Sequence, residues 1–384
     1  MRIGISKKLI IATYSNLQIF GGGIESWLQK LLTYSDELLK KYSEVHILGQ
    51  KSSSHSIAEL FNDKRILFHF YEKGANLFSI INYIRCVKIL VNKIDQKNID
   101  LIFVGSLYPS LPILFLPRKI KTYIWLRSFY EYEINQLKIK KIKPLALFLE
   151  KKCLQRAKKI IANGEDTKFL YKNKYKSIEK EIIVIPNAID VNAVKNNKNT
   201  LRCKVVKIAF IGRFYKNKGI EEFINSIKEI NKIRVDKRFQ FLFVGYGEFE
   251  EEIRTLETQF DNVKLVGKVN NSQIFDFLST IDCTVNLTFS AKEGGGSGIS
   301  NSLLESIYSD NLPIAWGNFC FKQILTNENS VLVDEGNVLE LAKAYLAIFN
   351  KRDFYLKKVK NLNLLKEKYS FSNHIEQLLE VLDS

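Results

Sequence analysis

Methionine, tryptophan, histidine and proline are all scarce in this chain of 384 residues: one Met, three Trp, four His and six Pro. His46, His55, His69 and His374 form no H-E-x-x-H motif and no close pair in sequence, so a zinc site is not expected. The five cysteines, Cys86, Cys153, Cys203, Cys283 and Cys320, are odd in number and contain no C-x-x-C. That argues against a disulfide framework and a zinc ribbon, and for a reducing compartment. Long apolar runs are missing as well. The longest uncharged stretch, residues 101–117, carries Pro109 and Pro112 and falls short of the ~20 residues a spanning helix needs. It reads as a buried strand, a proline-bearing loop and a second apolar stretch. The opening MRIGISKKLIIATYS sets two lysines before only four apolar residues, so no secretory leader is expected. These absences together predict a cytoplasmic protein.

Acidic residues are outnumbered, 41 Asp/Glu against 58 Lys/Arg, and the imbalance is local. Residues 1–190 hold 32 basic and 17 acidic side chains, whereas residues 191–384 hold 26 and 24. The steepest stretch is 138–180, with 14 basic and 4 acidic residues. Solvated lysines on helix faces account for it as well as an anionic membrane surface or a nucleic acid does. Nucleic acid explains only the charge, and is not expected as a partner.

What is present is abundant apolar matter, 46% of the residues, ample for sizeable cores. Short branched or aromatic runs alternate with helical patterns throughout, which predicts parallel sheets covered by helices. The first half contributes KKLIIATYS, EVHILGQ, RILFHFY, DLIFVG, KTYIWLR, KKIIAN and EIIVIPN; the second contributes KVVKIAFIG, FQFLFVG, NVKLVG, DCTVNL, LPIAWG and SVLVD. One continuous helix is expected over IESWLQKLLTYSDELLKKY (24–42), and another over PLALFLEKKCLQRAKK (144–159). In the latter, Leu145, Phe148, Leu149 and Cys153 share a side that is expected to pack on the first sheet. The polar stretch 190–204 reads as a linker. The expected architecture is α/β, with two doubly wound Rossmann-like domains, 1–190 and 205–369, facing each other across a ligand cleft.

Three segments carry chemistry. Phe20-Gly21-Gly22-Gly23-Ile24-Glu25 follows the first strand and opens a helix; glycines there let backbone N–H groups approach an anion, although a plain tight turn fits equally well. Ser26 breaks the dinucleotide fingerprint. The second segment, IGRFYKNKG (211–219), brings Arg213 and Lys218 out at the carboxyl edge of a strand, where two cations suit a diphosphate. The third is AKEGGGSGISNSLLE (291–305), a glycine run opening a helix with Glu305 expected two turns in. An acceptor-only carboxylate in that position suits ribose or sugar hydroxyls.

In this order, with IPNAID (185–190), FLFVGYGEFEEEI, VKLVGKVNNSQIFDFLSTIDCTVNLT, GISNSLLESIYSDNLPIAW and NSVLVDEGNVLELAKAYLAIF, the segments resemble the GT-B glycosyltransferases, specifically glycosyltransferase family 4 (group 1 glycosyltransferases). The resemblance spans nearly the whole chain. It implies that a C-terminal helix, 370–384, rejoins the first domain. It also implies retaining, metal-independent transfer of a hexosyl group from a UDP- or GDP-linked nucleotide sugar to a saccharide or lipid-linked saccharide acceptor. No cofactor is implied. Positions matching Arg213 and Lys218 hold the departing diphosphate. Gly22, Gly23, Gly212, Gly245, Glu293, Ser297, Gly298, Ile299, Ser300 and Glu305 are implied on the donor side, and Arg127 on the acceptor side. Bacterial relatives build surface polysaccharides such as lipopolysaccharide at the inner face of the plasma membrane, which makes an anionic membrane surface an expected partner.

Two positions depart from the family pattern. Its usual glutamate pair is separated by seven residues, yet Ser297 stands where the first is expected, with Glu293 four residues earlier. Arg127 replaces a common histidine after KTYIWLR, and a guanidinium is no base. Both departures touch sugar or acceptor contacts, so a catalytically silent GT-B partner subunit or a glycan-binding protein is the alternative. A nucleotide-sugar 2-epimerase shares the architecture but needs carboxylates and a histidine that the sequence does not supply.

Overall fold

The computed structural model describes residues 7–19, 23–51, 56–72, 77–94, 96–130, 142–191, 194, 204–233, 238–270, 273–290 and 299–384. Among them lie two wholly parallel sheets, of seven and six strands. The first sheet comprises β1 (Lys8–Asn16), β2 (Glu44–Gln50), β3 (Ile66–Tyr71), β4 (Ile99–Val104), β5 (Lys121–Leu126), β6 (Lys159–Ala162) and β7 (Ile182–Val184). The second comprises β8 (Val206–Phe214), β9 (Phe239–Gly247), β10 (Val263–Gly267), β11 (Cys283–Asn286), β12 (Leu312–Trp316) and β13 (Val331–Val333). Their orders, β3-β2-β1-β4-β5-β6-β7 and β10-β9-β8-β11-β12-β13, share one winding, which reverses between β1 and β4 and again between β8 and β11. Open α/β sheets bind ligands at the carboxyl edge of such a reversal. Every strand-like run read from the sequence is a strand here.

The chain divides into two compact units, Met1–Asn187 with His374–Ser384, and Ala188–Asn373. The boundary therefore falls in the first turn of the last helix, Phe371–Asp383. That helix is tied to the first unit by Lys41 Nζ on the Leu379 carbonyl (3.1 Å) and Tyr123 Oη on that of Leu382 (3.3 Å).

Local sequence explains the elements. Central β4 is buried along its whole length, as a strand covered on both faces must be. Helix Ile220–Ile233 buries Ile220, Phe223, Ile224, Ile227 and Ile230, three and four apart. Its outer face carries Lys228 paired to Glu252 at 3.1 Å and Lys232 to Glu229 at 2.6 Å.

Several expectations need correction. The helix expected over 24–42 breaks at Tyr34 into Gly23–Thr33 and Ser35–Leu39. At the break, Thr33 Oγ1 donates back to the Gln29 carbonyl at 3.0 Å, a bond that competes with helix continuation. The stretch after β4 is two short helical turns, Leu107–Ser110 and Leu111–Phe115, because Pro112 sits in a first turn, where its missing N–H costs nothing. Helix Lys143–Arg156 turns Ala146, Glu150, Cys153 and Leu154 inward with Leu149 packed against the core, as expected for Cys153 and Leu149, but leaves Leu145 (60%) and Phe148 (55%) exposed. Glu150 is inside because it accepts bonds from Tyr171 (2.9 Å) and Tyr175 (2.5 Å). His46 and His69 do form a close pair, Nδ1 to Nε2 at 3.0 Å, since β2 and β3 are neighbours. Of the expected linker, residues 192–193 and 195–203 lie outside the described residues, as do 138–141 of the basic stretch.

Candidate functional site

In the second unit, the chain leaves β8 through Gly212, Arg213 and Phe214. It then makes a single turn, Lys216–Lys218, before helix Ile220–Ile233. Gly219 sits left-handed at φ 74°, and a Cβ there would lie 2.4 Å from the Leu287 carbonyl oxygen, so only glycine fits. Gly245, opposite Gly212 on β9, is tighter still: its Cβ would stand 1.8 Å from the Gly212 oxygen. Phe289 N–H donates to the Asn217 carbonyl at 3.2 Å, which fastens this turn to the chain leaving β11.

Two cations are held on that turn. Arg213 is exposed, its guanidinium 5.4 Å from the Tyr215 ring centre. Lys218 is half-buried; burial lowers its pKa, and the nearby Arg213 charge lowers it further. Neither has a carboxylate partner among the described residues. Their neighbour Lys216, by contrast, is neutralised by Glu221 at 3.2 Å. Two like charges gathered at a sheet reversal without counter-charge form a receptor for an anion.

The adjacent strand β11 supplies the second part, since β8 and β11 pair directly. Ser300 caps helix Asn301–Tyr308, its Oγ accepting from Leu303 N–H at 3.2 Å. Leu303, Leu304, Ser306 and Ile307 are buried, which turns Asn301, Ser302 and Glu305 outward. Glu305 is the fifth residue of this helix, hence about one turn in rather than two, because the helix starts three residues after Gly298. The Ile299 side chain belongs to the core and does not point to a ligand. Glu293, Ser297 and Gly298 lie outside the described residues.

One contributor escapes the sequence reading. Glu335, just after β13, accepts from Ser290 N–H (2.9 Å), Ser290 Oγ (3.0 Å) and Asn318 Nδ2. It staples the chain at the point where the glycine run begins. The only sequence hint is an acidic residue in a turn after a strand, which is too common to single out.

In the first unit, Gly23 begins the helix after β1, and nothing lies within 4 Å of where its Cβ would be. Gly22 lies outside the described residues. Arg127 emerges at the carboxyl end of β5 and donates to Asn187 Oδ1 at 2.9 Å. Its guanidinium lies 5.8 Å from the ring centres of both Trp27 and Trp125. Burial lowers its pKa to about 10, so it remains a cation at neutral pH, and one of its nitrogens is buried without a partner. Beside it stands His374, which sequence reading did not associate with any site. Trp27 Nε1–H donates to His374 Nε2 (2.8 Å), and His374 Nδ1–H donates to the Pro186 carbonyl (2.7 Å). Those bonds fix one neutral tautomer, and burial drives the pKa down to about 3. With both nitrogens committed, His374 is no base.

The structure thus gathers Gly212, Arg213, Lys218 and Gly245 at one corner, and Ser300 and Glu305 on the next strand's helix. Gly23 and Arg127 stand together in the other unit, joined through Trp27.

Known proteins agree with this architecture. Residues 22–193 match the family model described as Glycosyltransferase Family 4, and residues 205–351 the one described as Glycosyl transferases group 1. A curated relative, an uncharacterized glycosyltransferase of Methanocaldococcus jannaschii, is 20% identical over 216 residues, 53% of each chain. The chain thus spans about half the length of that relative. Sucrose-phosphate synthase of Thermosynechococcus elongatus superposes with a TM-score of 0.77 at 13% identity, covering 98% of both chains. Anabaena HepE, solved in complex with UDP, gives 0.72 at 15% identity, over 98% of this chain and 99% of its own. A glycosyltransferase from Rickettsia africae gives 0.71 at 17%, over 98% and 97%. With two family models covering most of its length and a fold shared with solved GT-B enzymes, the chain belongs to the group 1 glycosyltransferases, glycosyltransferase family 4.

Proposed function

We propose that this protein transfers a hexosyl group from a UDP- or GDP-linked donor to a saccharide or lipid-linked saccharide acceptor, with retention of configuration and without a metal. The role fits bacterial surface polysaccharide assembly at the inner face of the plasma membrane. The observation that carries the reading is the pair Arg213 and Lys218 at the β8–β11 reversal, with no carboxylate partner among the described residues. In the reaction, the bond between the anomeric carbon and the diphosphate oxygen breaks while the acceptor oxygen bonds to the same face of that carbon. The acceptor proton passes to the departing phosphate. Charge grows on the diphosphate, and fixed cations stabilise that growth. They supply the neutralisation that a divalent ion would otherwise provide. The proton route suits the first unit, where Arg127 is a cation and His374 has both nitrogens engaged. Glu305 accepts bonds from the ribose hydroxyls, and the N–H groups at the start of its helix face the phosphates. HepE has been solved with UDP-glucose, which supports a nucleotide-sugar substrate here.

The test is incubation with UDP- and GDP-sugars while released nucleoside diphosphate is measured. Slow release without acceptor, rising when a saccharide acceptor is added, is the expected result. Nucleotide binding with no turnover on any donor would replace this reading with a silent partner subunit, and no nucleotide binding at all would remove the donor site.

A further inference from the structure

One cavity in the first unit lies far from the chemistry discussed so far. It encloses about 510 Å³ and is lined by apolar Ile113, Leu114, Leu116 and Ile120 together with Arg118, Lys152 and Arg156. Thr122 also lines it, near the amino end of β5, whereas Arg127 leaves the opposite end, ~16 Å along the strand. It therefore belongs to the edge of the sheet away from the ligand edge.

Its walls are built. Arg156 donates to the carbonyls of Leu114 and Leu116, which fixes the loop that forms one side. Lys152 lines the cavity, and its ammonium stands 5.4 Å from the Phe148 ring centre, so the charged lining runs directly into an exposed aromatic. Phe115, between two lining residues, is 56% exposed, and Ile142 and Leu145 continue the apolar side of helix Lys143–Arg156. Helix Leu77–Lys93 packs against the other flank of Leu111–Phe115 and exposes Phe78, Ile81 and Ile89 beside Arg85 and Lys88.

The segments that build this face are poor in acidic residues. Residues 77–93 contain none, residues 101–130 contain none, and helix Lys143–Arg156 has only Glu150, which is buried against two tyrosines. Exposed aromatics interleaved with cations that have no carboxylate partner among the described residues are the complement of an anionic amphiphile layer. An acidic protein partner would match the cations but leave seven large apolar side chains unanswered.

We propose that this face docks onto an anionic phospholipid bilayer, with one lipid headgroup phosphate seated in the cavity between Arg118, Lys152 and Arg156, and with Phe115 and Phe148 among the acyl chains. The proposal deepens the membrane partner named above; it does not depend on sugar transfer. The contact surface includes the chain before β5 as well as helix Lys143–Arg156.

Flotation of the full-length protein with phosphatidylglycerol-containing vesicles, against phosphatidylcholine alone, is the test. The parent is expected to float with the anionic vesicles only and to fall off as salt rises. Arg118→Gln with Lys152→Gln, both surface changes, is expected to weaken binding at least tenfold. Arg156 is left intact because it holds the wall. Phe115→Trp supplies a reporter, since Trp27, Trp125 and Trp316 are all buried: its emission is expected to shift blue on anionic vesicles and to be quenched by brominated lipid. Equal flotation of parent and double variant, or an unshifted Phe115→Trp emission, would overturn the proposal. So would displacement by inorganic phosphate at constant ionic strength, which would mark a soluble-anion site, or a concentration-dependent dimer that covers the face. Arg213→Ala separates the two readings, because it is expected to float like the parent whether or not turnover survives.

Discussion

The two units are wound alike but use their sheet reversals differently. At β8 and β11 the second unit places glycines that nothing can replace, plus two cations with no carboxylate partner among the described residues. Its core is mainly aliphatic and holds a cluster of phenyl rings, Phe210, Phe214, Phe223, Phe239, Phe241 and Phe243. The first unit buries more ionisable side chains, among them Asp100 bonded to Tyr42 (2.6 Å) and Lys7 (2.6 Å), Glu150 to two tyrosines and His374 to Trp27, where the second buries Asp282 and Lys358. A bonded polar interior fixes one arrangement of side chains, because each missing bond would leave a buried group unsatisfied. In the second unit the fixed points are backbone crossings, where Gly219 and Gly245 leave no room for a Cβ. The proposed division of labour, diphosphate on the second unit and acceptor on the first, is what this contrast puts to the test.

The sharpest way to break this comparison is at the glycines. Gly245→Ala drives a Cβ into the Gly212 carbonyl and is expected to cost several kcal/mol, enough to unfold the second unit. Urea unfolding is expected to show Trp316, in the second unit, released well before Trp27 and Trp125. Gly23→Ala meets no atom and is expected to unfold with the parent. Equal midpoints for Gly245→Ala and Gly23→Ala would mean that the strand crossing gives way easily.

Acid should act on the other unit. Every histidine belongs to the first, and burial lowers the pKa of His46, of His69 to about 4 and of His374 to about 3. Below about pH 6.5 the unfolded chain takes up protons that the folded chain refuses, so stability is lost as pH falls. For His374 the loss runs down to about pH 3, at about 1.4 kcal/mol per pH unit. The first unit is expected to unfold first on acidification, and His374→Gln to flatten the slope. A slope unchanged by that substitution would show that His374 is paired the same way in both states.

At the donor corner, Arg213→Ala and Lys218→Ala are each expected to lower turnover at least tenfold, about 1.4 kcal/mol of lost transition-state stabilisation. Lys216→Ala, which removes a cation already paired with Glu221, is the internal control and is expected to change turnover little. If all three behave alike, the turn is only a charged surface.

How far the sequence could be read depended on distance along the chain. Strands were legible because branched runs such as DLIFVG are short and bounded. Arg213 and Lys218 were legible as a pair because five residues separate them after a strand. Helix Glu165–Lys174 left no apolar period, since what it buries is Asp166, Thr167 and Tyr171. Helix Arg352–Asn361 hid its period by burying Lys358, which caps the Asn327 and Ser330 carbonyls. The bond between Trp27 and His374 joins residues 347 apart, and Glu335 reaches Ser290 across 45. No local pattern announces either.

The smallest expected effect belongs to Glu305. It stands on the outward side of helix Asn301–Tyr308, one turn beyond the Ser300 cap, with Asn301 and Ser302 on the same side. A carboxylate near a helix N-terminus is stabilised by the helix dipole wherever it occurs, so its presence there has an ordinary structural explanation. The donor reading adds a second demand, that it accept hydroxyl bonds from ribose. Glu305→Gln separates the two. It keeps the shape and one acceptor oxygen but removes the charge, and charge-assisted bonds exceed neutral ones by about 1 kcal/mol. Calorimetry with the free nucleoside diphosphate is therefore expected to give an affinity roughly fivefold weaker, with the melting temperature nearly unchanged. A lower melting temperature with unaltered affinity would leave Glu305 as a helix-end carboxylate, and the ribose would have to be held by other residues of the same helix.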